Sequence, residues 1–117
     1  MGEDLWGETP EVLLRASCPL GGGVAGTHDE LCGVLSGAVL LAGARWGRTA
    51  PEEDDKPLYA ALADLRERFR DLFGHTRCDD IRLSYPDVPK RCRPVVAAGA
   101  RLVMEWFAEQ ERARSRA

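Results

Sequence analysis

No two cysteines in these 117 residues are spaced C-x-x-C, whereas zinc ribbons and ferredoxin-type cluster loops take their ligands from such close pairs. A site built from these cysteines must therefore be assembled by folding. Excess basic charge is also missing: 16 Lys and Arg face 19 Asp and Glu for a net charge of −3, and without a basic stripe there is no nucleic-acid footprint. The late cluster Arg112, Arg114 and Arg116 reads as a solvated helix end, where cations are favoured. The longest apolar stretch, Leu31 to Ala44, has 14 residues before Arg45, short of the roughly 20 that span a membrane. The opening Met1-Gly2-Glu3-Asp4-Leu5-Trp6 carries acid where a secretory signal needs base, and its sixth residue is not the Ser or Thr of a myristoylation signal. The expectation is a cytoplasmic chain with no membrane span. Period-two alternation, internal repeats and low-complexity segments are absent as well, so the fold class is expected to be all-α.

What is present fits one domain over 1–117, with 44% hydrophobic residues to fill a single core. The pattern predicts a compact bundle of about four helices around a buried central one. Thr9-Pro10-Glu11 supplies an N-cap, a first-turn proline and an acid for a short first helix. Cys18-Pro19 and the glycines Gly21, Gly22, Gly23 and Gly26 then interrupt regular structure. Thr27 and Glu30 fit a capping box that starts the central helix, expected from about His28 to Trp46. Its apolar residues Leu31, Val34, Leu35, Ala38, Val39, Leu40, Leu41 and Ala42 lie nearly all round, the pattern of a helix covered on several sides. Gly33 and Gly37 offer a face for close packing inside the domain. Gly47 closes this helix, and Thr49 with Glu52 offers a second capping box. A third helix carries the stripe Leu58, Leu62, Leu65, Phe69 and Leu72 until Gly74 ends it. His75 to Pro89 should be mostly loop with one helical turn, anchored by Ile81 and Leu83. Cys92-Arg93-Pro94 introduces a last helix with Val95, Val96, Ala98, Leu102, Val103, Trp106 and Phe107 at the helical period.

The glycine loop matches a dinucleotide fingerprint only as a string, since neither a preceding strand nor a following acid in a βαβ unit accompanies it. A phosphate loop needs Lys after its last glycine, where this chain has Thr27. Close approach of the loop to a thiol or helix is the better reading, with Gly21, Gly22 and Gly23 a candidate for holding a cofactor. The four cysteines, Cys18, Cys32, Cys78 and Cys92, carry the chemistry. In a reducing compartment they point to redox cycling or metal binding before a structural staple. His28 and Cys32, four apart on one helix, put an imidazole within reach of the sulfur as base or co-ligand. Asp29 and Glu30 oppose thiolate formation there, so an activated Cys32 and an inert buried thiol both stay open.

The order of these features resembles the redox-active protein family defined by a C-GCAxxG-C-C cysteine pattern. From about Ala16 to Leu102 the matching pieces are Gly21-Gly22-Gly23, Glu30 to Gly37 around Cys32, Gly47-Arg48-Thr49, Phe73-Gly74 before Cys78, and Lys90-Arg91-Cys92. The resemblance implies a small helical protein whose Cys32, Cys78 and Cys92 are redox-active or metal-binding. A further family cysteine normally lies well upstream of the loop, and here Cys18 falls just before it. The expected function is dithiol/disulfide exchange or electron transfer with Cys32 as the central thiol, Cys78 or Cys92 resolving and Cys18 auxiliary, and with a redox partner protein or a small thiol as counterpart. The alternative is a zinc or iron-sulfur module on Cys32, Cys78, Cys92 and His28, or His75. A third reading is a helical interaction subunit with structural cysteines.

Overall fold

The computed structural model describes residues 7, 9–84 and 92–115, among which the chain forms five helices and one 3-10 turn. They are α1 (Glu11–Ser17), running into the turn Cys18–Leu20, α2 (Gly33–Trp46), α3 (Lys56–Phe73), α4 (Cys78–Leu83) and α5 (Arg93–Ser115). The all-α class is as expected. Among the described residues the only extended pairing is a single antiparallel bridge between Leu31 and Arg77.

One hydrophobic cluster joins α2, α3, α4 and α5. α2 is the central element, packing on α5, α3, α1 and the 3-10 turn. It buries Val34, Leu35, Ala38, Leu41 and Ala42, a single stripe at helical spacing, while Val39 lies 41% exposed. From α5 come Val95, Val103, Trp106 and Phe107, and from α3 Leu58, Leu65, Phe69 and Phe73. At Gly99, α5 packs tightly on α2 and α3. A Cβ there would lie 2.9 Å from Val34 Cγ1 and 3.5 Å from Phe69 Cε2. The indole of Trp106 is fully buried and donates its N–H to the Ala61 carbonyl at 3.2 Å, which satisfies the one polar atom it brings into the core. Trp46 stacks on Phe107 at 5.5 Å between centroids.

Several boundaries differ from expectation, each for a local reason. Pro10, rather than Thr9, is the N-cap of α1, and no side chain caps it. α2 begins at Gly33, about five residues later than the capping box implied. The Thr27 hydroxyl instead donates to the carbonyls of Gly23 and Val24, tying the loop to itself. Thr49 bonds the Glu53 carboxylate, and α3 starts only after Asp55. Gly74 does end α3, in the left-handed conformation with its amide on the Arg70 carbonyl. Leu72 and Leu83 are 47% and 70% exposed, and Phe73 and Ile81 occupy the buried positions instead. Val96 is also 48% exposed. Gly33 packs on Gly21, whereas a Cβ on Gly37 would meet nothing within 4 Å. Arg114 lies 4.6 Å over the Trp46 ring, so the basic end of α5 makes a cation-π contact. Arg116 and the segment 85–91, with its two prolines, lie outside the described residues. No described helix is long and apolar enough to cross a membrane.

Candidate thiol site

Residues 21–30 fold into a tight loop because glycine permits left-handed backbone where it is needed. Gly22, Gly23 and Gly26 have φ of 62°, 66° and 71°, and Val24, Ala25 and His28 follow them into that region. The loop amides of Val24, Ala25, Gly26 and His28 bond to the carbonyls of Leu20, Pro19, Gly21 and Gly22. They are thus turned to the loop's own carbonyls, whereas a phosphate cradle needs free amides. Gly23 carries the close approach that the sequence suggested. A Cβ at this position would fall 2.6 Å from Cys78 Cβ and 2.8 Å from His28 Cα.

The loop then meets the start of α4. Around the Leu31–Arg77 bridge, Cys32 N–H donates to the Thr76 carbonyl at 2.9 Å and Cys78 N–H to the Glu30 carbonyl at 2.8 Å. Asp79 N–H donates to the His28 carbonyl at 2.9 Å. Side chains alternate along such a pairing, so Cys32 and Cys78, one step either side of the bridge, share one face of it.

Cys32 is consequently the N-cap of α2 and Cys78 the first residue of α4, while Cys92 immediately precedes α5 and accepts the Val96 amide on its carbonyl. Helix N-termini favour thiolates, but burial opposes this here. Desolvation pushes the Cys32 thiol up, and the amides of Val34 and Leu35 only partly offset it. Cys78 is raised first by burial and then by negative charge at Cys32 or Cys92, with Arg82 pulling the other way. Both are held protonated at neutral pH. Asp79, in turn, is pulled below the usual carboxylate range, first by its hydrogen bonds with Arg82 and also by charge at Arg82 and Arg77.

All four cysteines are free thiols, and all four line one cavity of about 1110 Å³ together with His28, Gly21 and Gly22. Its remaining wall is mainly apolar: Leu13, Leu14, Leu40, Leu41, Val95 and Met104. Cys32 is buried, Cys78 and Cys92 are half-buried, and Cys18 is exposed. The expected pairing of His28 with Cys32 is not found, because the two do not share a helix. His28 turns its Nδ1 to Cys78 Sγ at 3.4 Å instead. No local spacing announces this contact across 50 residues, so the pattern of the sequence does not reveal it. His75 is exposed and is not part of the cavity lining. Among the described residues no group of three or more His, Cys, Asp or Glu side chains is arranged to hold a metal ion, so the donor set for zinc or iron-sulfur does not fit as it stands.

Helical packing that delivers four free cysteines and a histidine to one apolar cavity defines a small all-α thiol protein. The chain belongs to the family described as "Putative redox-active protein (C_GCAxxG_C_C)", which matches residues 1–106. That match reaches further in both directions than the 16–102 read from the motifs. No curated protein and no solved structure matches the chain.

Proposed function

We propose that the protein is a thiol redox protein that works by dithiol/disulfide exchange, through Cys32, Cys78 and Cys92 with Cys18 as an auxiliary thiol at the cavity's exposed edge. The observation that carries this reading is the shared lining: four free thiols from four separate segments face one cavity, in a chain whose family is described as redox-active. Exchange needs thiols near enough to resolve a mixed disulfide. The Cys32 and Cys78 pair, on one face of the Leu31–Arg77 bridge, supports that. Its counterpart is a small disulfide or a redox partner protein, and a reducing cytoplasm suits four free thiols.

The test uses the reduced full chain, purified without oxygen. Metal analysis comes first, because stoichiometric zinc or iron would favour the metal module over exchange. Oxidised glutathione is then added, and intact mass and peptide mapping follow the products. Exchange predicts an internal disulfide among Cys32, Cys78 and Cys92 with release of two reduced glutathione molecules. Persistence of free thiols or of a mixed disulfide with no internal bond would overturn it.

A further inference from the structure

We infer that Cys78 is the thiol that opens the exchange, with the imidazole of His28 as its base. This inference rests on the exchange reading for its second step and stands independently for its first. Three observations converge on the pair. His28 Nδ1 is 3.4 Å from Cys78 Sγ, the distance at which a thiol hydrogen can pass to an imidazole nitrogen. Both side chains face the cavity that a substrate would enter. The backbone is fastened on both sides of the pair: His28 N–H donates to Gly22 at 2.8 Å, the His28 carbonyl accepts Asp79 N–H at 2.9 Å, and Cys78 N–H donates to the Glu30 carbonyl at 2.8 Å. Gly23 packs against both at a distance that no Cβ would permit.

A thiol kept protonated by burial needs a proton acceptor at the moment of attack. With its own proton on Nε2, His28 presents Nδ1 to the Cys78 S–H. As Cys78 sulfur attacks one sulfur of a small disulfide RSSR, its proton passes to Nδ1, the Cys78–SR bond forms, and RS⁻ leaves to take the proton from the imidazolium. Cys32 sulfur then attacks Cys78 sulfur, the Cys32–Cys78 bond forms, and the second RS⁻ departs with the Cys32 proton. Two electrons of the dithiol end in two RSH. Cys32 is the more buried of the two, which suits a thiol reached by an internal sulfur rather than by solvent reagents. Beside the neutral Cys78 thiol, His28 has near it the charge of Asp79, which pairs with Arg82 and faces Arg77.

The experiment is site-resolved alkylation by iodoacetamide, in which a thioether forms, iodide leaves and the thiol proton goes to the base. Peptide mass spectrometry reads the rate at each cysteine at pH 7. His28→Asn keeps a residue that tolerates left-handed backbone and removes the base. It should slow Cys78 about tenfold or more at pH 7, with exposed Cys18 unchanged as internal reference. An unchanged Cys78 rate in His28→Asn would overturn the assignment. Should oxidised glutathione give an internal disulfide while Cys78 lacks this dependence on His28, exchange stands and the base assignment falls. The converse result leaves the pair standing and removes the exchange.

Discussion

Glycine does opposite things at two positions of this chain, and the difference lies in what faces the missing Cβ. At Gly99 the space is already filled by Val34 Cγ1 at 2.9 Å and Phe69 Cε2 at 3.5 Å. Val34 is β-branched and stiff at χ1, so it yields poorly. Gly99→Ala should therefore destabilise the protein by about 1–3 kcal/mol through overpacking, more than the roughly 1 kcal/mol of helix propensity it gains. Gly43 lies in the last turn of α2, exposed, and a methyl group added there would meet nothing within 4 Å. There Gly43→Ala should stabilise by about 0.5–1 kcal/mol. Urea titrations of both variants check the opposite signs, and a gain at Gly99 would refute the tight α2–α5 contact.

Elements whose partners are near in sequence are legible from it, and those whose partners are remote are not. The period of Val95, Val103, Trp106 and Phe107 marks α5, and Gly74 marks the end of α3, because both signals are local. The start of α2 is misread because Thr27 and Glu30 have the spacing of a capping box, whereas the segment before Cys32 pairs with residues 76–79. That displacement also moves His28 from Cys32 to Cys78. The gathering of cysteines can be expected only from the family resemblance, since each comes from a different segment. Because no box forms, Glu30→Ala should change stability by less than about 0.5 kcal/mol, where loss of a working cap would cost about 1 kcal/mol. Thermal melts separate the two. By contrast Trp106→Ala, which empties the junction of α3 and α5, should cost about 3–5 kcal/mol.

For the molecule as a whole, the buried thiols make stability depend on alkaline pH. Cys32 and Cys78 are both raised by burial in the folded chain, while in the unfolded chain they ionise near the ordinary value of about 8.5. The unfolded state therefore loses these protons first as pH rises. Their stabilising contribution is complete below about pH 8 and declines through and above pH 9. Denaturant midpoints measured from pH 7 to 10 should fall over that range, and Cys32→Ala should flatten part of the decline. An equal slope in that variant would rule Cys32 out as a source.

α1 forms one wall of the thiol cavity without burying a single residue of its own, and Val12 and Leu14 are 75% and 51% exposed. Little free energy then opposes its release, while Trp106, Phe69 and Phe107 hold the rest together. Segments with few buried contacts open far below the global unfolding energy. Amide hydrogens of α1 should accordingly exchange faster than those of α3 and α5 in native buffer. Admission of a reagent to the sulfurs would then be a local event, whose frequency can be tuned at Leu13 or Leu14 while the melting temperature stays where the core sets it.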